Sequence, residues 1–140
     1  MSDRAWSWRK KLLLIVGGAL VLSSPIFIWL GLEGHKAHVA FIEFSDALIE
    51  RNYERAYALA SPDFRTAIEE PAFAAQQMEL CARLGALKRV KSSVSEASVN
   101  QDGWSSTIAA HFIFEKGEIL FEVVMKKRGD RWQLYKYRSL

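Results

Sequence analysis

The side chains best suited to acid–base chemistry form two pairs, one on predicted strands and one on a predicted helix. His111 and Glu122 each alternate with apolar residues on neighbouring strands, so both point to the sheet face opposite the apolar one. An imidazole beside a carboxylate can act as general acid or base, and isomerase or dehydratase chemistry is the class to test. Tyr53 and Tyr57, one helical turn apart, can line a pocket mouth. A surface-facing pair and core-packing tyrosines explain the same residues, so both interpretations stay open.

Metal and thiol chemistry have weaker support. His35 and His38 have i, i+3 spacing with Glu33 nearby, but two histidines do not make a site, and interfacial histidines at a helix start explain them equally well. The single cysteine, Cys81, cannot form an internal disulfide and falls in a helical pattern, which is typical of a buried structural thiol. There is no Gly-rich phosphate loop, nucleophile elbow or cysteine cluster. We therefore predict no metal and no cofactor.

The strongest signal is an uncharged apolar segment, residues 12–32, which reads LLLIVGGALVLSSPIFIWLGL. At about 1.5 Å per residue, a helix of this length spans a hydrocarbon core of roughly 30 Å. Trp6 and Trp8 precede the segment and Trp29 lies near its end, as expected at the two headgroup layers. The segment predicts a transmembrane helix.

Flanking charge predicts the orientation of that helix. Arg9, Lys10 and Lys11 stand directly before it, so the positive-inside rule places residues 1–11 as a cytoplasmic tail. Residues 33–140 then form one domain on the outer, periplasmic side of the inner (plasma) membrane. The alternative is a cleaved signal peptide, but the long apolar run and the missing A-x-A-like site favour a retained signal-anchor.

Charge also bears on the class of partner. The net charge is +3 and the pI about 9.1, yet residues 33–140 contain 15 basic and 15 acidic side chains, so the excess belongs to the tail. A neutral domain lacks the field that drives nonspecific nucleic-acid binding, and we predict no nucleic-acid partner. Residues 33–87 carry a charge of −4 and residues 88–140 a charge of +4, which can orient an acidic partner on the sheet side.

Periodicity within the domain changes from helical to alternating near Gly85. A stripe of Ala37, Phe41, Phe44 and Leu48 predicts a first helix. Further starts are predicted by Asn52, by the Ser61-Pro62-Asp63 motif and by Pro71. Turn signals then separate four predicted strands: residues 87–99, 104–115, 118–127 and 131–137. The pattern predicts an α+β fold with about three helices packed on a curved four-stranded antiparallel sheet.

Two stretches carry a resemblance to a known family. FIEFSDALIERNYERAYALASPDFR and the ending KKRGDRWQLYKYR, with a third helix closing on LGAL, resemble the nuclear transport factor 2-like superfamily. The resemblance covers nearly all of residues 35–138 and rests on order and spacing. It implies a cone-shaped α+β fold shared by enzymes, ligand carriers, transport factors and assembly modules, and fold alone does not choose among them.

The anchor and the lack of a catalytic motif favour a noncatalytic, membrane-tethered binding or assembly module. Its expected partner is another membrane or envelope protein, or a second copy of itself, and a small apolar ligand in the cone is a further candidate. Two alternatives stay open. One is an isomerase- or dehydratase-type enzyme with its site in the cone, and the other is an accessory subunit of a membrane complex.

Overall fold

The computed structural model describes residues 28–140, and its compact domain runs from Glu33 to Leu140. The predicted tail and most of the predicted transmembrane segment, residues 12–27, lie outside the described residues. Within residues 28–140, no helix is long and apolar enough to cross a membrane.

Four helices precede the sheet in the described chain: α1 (28–49), α2 (Tyr53–Ala58), α3 (Pro62–Ala67) and α4 (Glu70–Leu84). The Asn52 side chain accepts a hydrogen bond from the Arg55 N–H and so caps α2. Ser61 caps α3 in the same way through the Phe64 N–H, with proline in the first turn. Gly85 ends α4 at a φ of 81°. Pro71 lies in the first turn of α4. These local signals explain why the three starts and the final stop were predicted correctly.

The strands β1 (Leu87–Asn100), β2 (Gly103–Phe114), β3 (Gly117–Arg128) and β4 (Arg131–Ser139) form one antiparallel sheet in sequence order. Their bounds lie within two residues of the prediction. The free edge of β1 carries Lys88, Arg89 and Lys91 and two register shifts, which discourage pairing with another strand. The β4 edge is partly covered, because the Ser61 N–H donates to the Leu134 carbonyl at 2.8 Å.

The core lies between the helices and one face of the sheet. Every helix contributes a buried side chain, including Phe41, Phe44, Phe64 and Phe73, and the strands contribute alternate residues. The buried strand residues are Leu87, Ile108, Ala110, Phe112, Phe114, Phe121, Val123, Met125, Trp132 and Leu134. Alternation on β2 and β3 therefore assigns faces correctly.

The helix count is the main departure from the predicted architecture. We expected about three helices packed on the sheet, but the described chain has four, which are the first helix and one helix for each of the three predicted starts. The α+β class and the four-stranded antiparallel sheet are confirmed.

Candidate functional site

The inside of the cone is filled by aromatic rings. Phe73 lies with its ring centroid 6.3 Å from that of Phe44 and 5.8 Å from that of Phe64, and Phe121 lies 4.8 Å from Phe112. Between these rings, the described residues enclose a cavity of about 10 Å³, which is about the space that one water molecule needs. Its lining comprises Phe41, Phe44, Leu48, Gln77, Phe112, Phe121, Val123 and Tyr137. A substrate of even a few heavy atoms does not fit there.

One polar pair closes this interior. The Gln77 amide donates from Nε2 to the Tyr137 hydroxyl at 3.0 Å, joining α4 to β4. Gln77 is 7 % exposed, so the contact satisfies a buried amide on an otherwise apolar helix stripe. Burial raises the pKa of Tyr137, which keeps the phenol neutral at ordinary pH. The pair can donate or accept hydrogen bonds but is a poor source of a charged base.

Beyond this pair the domain opens into a cleft of about 350 Å³ between α4 and the neighbouring ends of β3 and β4. We call this the α4 cleft. It is lined by Gln76, Gln77, Glu79, Leu80, Arg83, Ile119, Phe121, Tyr137 and Ser139. Leu80, Ile119 and Phe121 give it an apolar floor, and Glu79 and Arg83 give it a charged rim. Its volume lies at the low end of the range for small-ligand sites, roughly 300–1,000 Å³.

A second polar site lies at the start of the domain. The Glu33 carboxylate is 2 % exposed and accepts hydrogen bonds from Lys127 Nζ at 2.9 Å, Trp132 Nε1 at 3.1 Å and Lys36 Nζ at 3.1 Å. The hydrogen bond from Lys127, helped by those from Lys36 and Trp132, outweighs burial and lowers the Glu33 pKa to about 2. Glu33 therefore stays ionised and joins α1 to β3 and β4.

Sequence reasoning missed this role for Glu33, which it had grouped with two histidines. The partners lie 94 and 99 residues away in sequence, and no local spacing brings them together. The one available signal was a lone carboxylate directly after an apolar segment, which needs compensating donors wherever it is buried.

The predicted acid–base pair lies on the outer face of the sheet. His111 Nε2 is 3.7 Å from the Glu118 carboxylate, and Glu122 forms an ion pair with Arg138 at 2.9 Å. Both pair with surface partners, and their backbone register puts them opposite the buried residues of β2 and β3. The prediction that they share one face is confirmed, and that face is the one away from the cone.

The predicted tyrosines lie on the helical side. The Tyr57 hydroxyl is 3.0 Å from the Arg65 carbonyl oxygen and 2.8 Å from that of Ile68, so it fastens α2 to α3. Burial, and next the Cys81 thiol beside it, raise the pKa of Tyr53. The structure therefore does not bring His111 and Glu122 together with these tyrosines.

The two histidines near the start of the domain also have different surroundings. His38 Nε2 is 2.7 Å from the Ser92 hydroxyl, joining α1 to β1, while His35 is exposed. Across residues 28–140, no three side chains of the metal-binding types cluster as a metal site requires. Cys81, expected to be buried, is half-buried and free.

Comparisons with known proteins bear on the fold. No family model matches the chain, and no curated protein matches it. Among solved structures, a member of the NTF2-like family from Streptomyces avermitilis aligns with a TM-score of 0.51 at 13 % identity, covering 78 % of this chain and 95 % of its own. The fold is nuclear transport factor 2-like.

A second solved structure agrees with this fold. A protein from Thiobacillus denitrificans, assigned by name to the association domains of calcium/calmodulin-dependent protein kinase type II, aligns with a TM-score of 0.51 at 14 % identity. The alignment covers 73 % of this chain and 91 % of that one. At such low identity the likeness describes the backbone fold alone, and this fold does not by itself identify a function.

Proposed function

We propose that this chain is a membrane-tethered, noncatalytic binding or assembly module that acts at the outer face of the membrane. The noncatalytic half of this proposal is supported by the filled interior of the cone. An internal cavity of about 10 Å³ leaves no room for a substrate beside a catalytic group.

The chemistry of the α4 cleft supports binding over catalysis. Its innermost polar group, Tyr137, has a raised pKa and is held by a neutral amide. The charged groups, Glu79 and Arg83, stand on exposed positions at the rim. A general acid or base needs to lie within hydrogen-bonding reach of a substrate that is shielded from water, and this cleft holds its carboxylate at the exposed rim.

The same cleft suits an apolar group of a partner or a small apolar ligand. Leu80, Ile119 and Phe121 provide the contact surface, and the Tyr137 hydroxyl and the Gln77 amide provide hydrogen bonds at its inner end. Apolar pockets with a few well-placed polar groups are the usual form of binding sites. An envelope protein that inserts one apolar side chain here is the partner we favour.

The membrane tether in this proposal is supported by the sequence alone. Residues 12–32 are uncharged, long enough to cross a bilayer and preceded by Arg9, Lys10 and Lys11. The proposal therefore places the N-terminus in the cytoplasm and the nuclear transport factor 2-like domain in the periplasm, as a membrane-anchored member of that fold.

Partner capture from detergent-solubilised membranes tests the proposal with a matched pair of variants. Ser139→Trp places an indole in the α4 cleft from an exposed position, and Lys136→Trp places one on the outer face of the same strand. We expect the full-length wild type and Lys136→Trp to recover the same envelope protein, and Ser139→Trp to lose it at least tenfold. Equal recovery by both variants would exclude the cleft, and recovery of only the chain itself would leave self-association.

Exchanging residues 12–32 for an unrelated membrane helix distinguishes the accessory-subunit alternative from binding by the domain. If the domain carries the interaction, partner capture survives the exchange. Loss of capture with normal membrane insertion would instead assign the interaction to the helix.

A further inference from the structure

The free edge of β4 is open over its last residues. The Leu140 N–H donates to the Leu120 carbonyl at 2.9 Å, so this pair directs its backbone groups toward each other. In an antiparallel ladder, such pairs alternate with pairs whose N–H and C=O groups point away from the neighbouring strand. Tyr137 and Ser139 occupy the alternate positions of β4, and therefore direct their N–H and C=O groups away from β3.

These outward backbone groups make no hydrogen bond to another group among residues 28–140. The contact that covers this edge, from the Ser61 N–H to the Leu134 carbonyl, lies further back along β4. Tyr137 and Ser139 thus present two N–H donors and two carbonyl acceptors along one line. An exposed row of this kind is the template that an added strand uses.

This stretch of the β4 edge adjoins the α4 cleft. The side chains of Tyr137 and Ser139 line the cleft, because both lie on the inner face of the sheet. Their partners on β3, Val123 and Phe121, are buried on that same face. Residues directly opposite each other on paired strands have their side chains on one face. A residue added opposite Ser139 would therefore point its side chain into the cleft, toward the apolar floor.

We propose that the β4 edge at Tyr137 and Ser139 receives an extended segment of the envelope partner as an added strand, which inserts one apolar side chain into the α4 cleft. The inference rests on the proposed binding role of that cleft, and it specifies the form of the segment that the cleft binds. In strand addition, main-chain hydrogen bonds supply affinity and the side-chain pocket supplies the sequence preference.

Charge on the outer face favours a different protein over a second copy of this chain. Lys136 and Arg138 point to the outer face, on either side of Tyr137. Antiparallel pairing of two copies that matches Tyr137 with Ser139 places Arg138 opposite Arg138, and matching Tyr137 with Tyr137 places it opposite Lys136. Like charges directly opposite each other destabilise a strand pair. A segment with acidic residues on both sides of its apolar residue is complementary instead.

Peptide binding to the full-length chain in nanodiscs tests the proposal. The probe is the fluorescein-labelled peptide Ser-Thr-Glu-Leu-Glu-Thr-Ser, and its binding is measured by fluorescence anisotropy. Two matched peptides carry one backbone N-methyl group, either on the leucine or on the glutamate that follows it. A residue paired with Ser139 turns its N–H toward β4, whereas the next residue turns its N–H away. We expect leucine methylation to weaken binding at least about tenfold, and glutamate methylation less than about threefold.

Ser139→Trp shows whether the peptide occupies the cleft. The indole fills the cleft from an exposed position, and we expect the unmethylated peptide to bind this variant at least about tenfold more weakly than the wild type. Leucine-dependent binding that survives Ser139→Trp would assign the added strand to another edge and overturn the inference.

Two further results would overturn the inference and leave the proposed function standing. Equal binding of all three peptides, lost in Ser139→Trp, would show that the cleft takes the leucine without strand pairing. If no peptide binds at about 1 mM while partner capture still depends on the cleft, the β4 edge accepts no strand. Partner capture that does not depend on the cleft would remove the proposed binding role, and the inference with it.

Discussion

The two ends of the sheet are held by different chemistry. At the end where the chain enters, a buried carboxylate joins three elements, because Glu33 accepts from Lys36 on α1, Lys127 on β3 and Trp132 on β4. At the other end, beside the α4 cleft, the joint is made of backbone. The Lys116 N–H donates to the Leu84 carbonyl at 2.8 Å, and the Glu115 N–H donates to that of Ala86 at 3.1 Å.

The two ends of the sheet therefore respond differently to their surroundings. A buried ion needs all of its donors, so the entry end depends on side-chain identity and on pH. The far end depends on the Glu115 side chain packing directly against the Gly85 backbone. A Cβ atom added to Gly85 would lie 2.7 Å from the Glu115 Cβ. The exposed ion pair between Lys88 and Glu115 adds little there. The end where the chain enters the domain is thus the one that depends on electrostatics.

The largest effect is expected from Glu33→Gln. The change leaves the 19 %-exposed Lys127 ammonium and its neighbours without a counter-charge, and removing one partner of a buried ion pair costs about 3–5 kcal/mol. We expect a fall of about 3 kcal/mol in the free energy of unfolding, measured by urea titration of the full-length chain in detergent. Glu50→Gln, which breaks an exposed pair with Arg55, is the control and should change it by less than about 0.5 kcal/mol. Equal effects would show that burial of Glu33 does not matter.

Acid should weaken the entry end selectively. The folded-state pKa of Glu33 is about 2, below its ordinary value of 4.5, so its contribution is fully present above pH 4.5 and is lost as pH falls toward 2. The shift corresponds to at most about 3 kcal/mol, since one pKa unit is worth about 1.4 kcal/mol. Unfolding measured from pH 7 to pH 2 should show this loss in the wild type, and a smaller loss in Glu33→Gln. Parallel curves for the two proteins would contradict the assignment.

At the far end, Gly85→Ala should destabilise through the backbone. Gly85 has a φ of 81° and a close neighbour, whereas Gly129 has a φ of 61° with open space around it. Alanine at either position is forced to a positive φ, at about 1 kcal/mol or more, and Gly85 also has a ψ of −171°, a conformation that is essentially restricted to glycine. Only Gly85→Ala also displaces Glu115. We expect losses of about 2 kcal/mol for Gly85→Ala and about 1 kcal/mol for Gly129→Ala, both independent of pH between 7 and 4. A larger loss at Gly129 would mean that the contact with Glu115 is easily relieved.

The same contrast separates what could be predicted from the sequence from what could not. Asn52, Ser61 and Gly85 act on neighbours within four residues, so helix starts and stops were readable. The alternation of apolar residues on β2 and β3 predicted which face of the sheet is buried. It also predicted that His111 and Glu122 lie on the opposite face. These features depend on short-range chemistry, and they define nearly the whole architecture.

The features that depend on tertiary packing were missed. Nothing near Glu33 in sequence indicates Lys127 or Trp132, since a buried charge finds its donors only after the sheet has formed. The filling of the cone depends on how rings from α1, α4, β2 and β3 interlock, which periodicity does not describe. The α4 cleft arises at the edge of that packing, around the Gln77–Tyr137 contact that spans 60 residues.

The smallest effect is expected on the outer face of the sheet, because its side chains take no part in the contacts that hold either end. His111→Ala removes an imidazole whose side chain is 47 % exposed and whose partner, Glu118, is also exposed. Surface pairs of this kind contribute about 0–1 kcal/mol, so the free energy of unfolding should change by less than about 0.5 kcal/mol. Partner capture should also be unchanged, because His111 lies on the face opposite the α4 cleft. Loss of capture with unchanged stability would move the binding site to the outer face and make the His111 and Glu122 pair its centre.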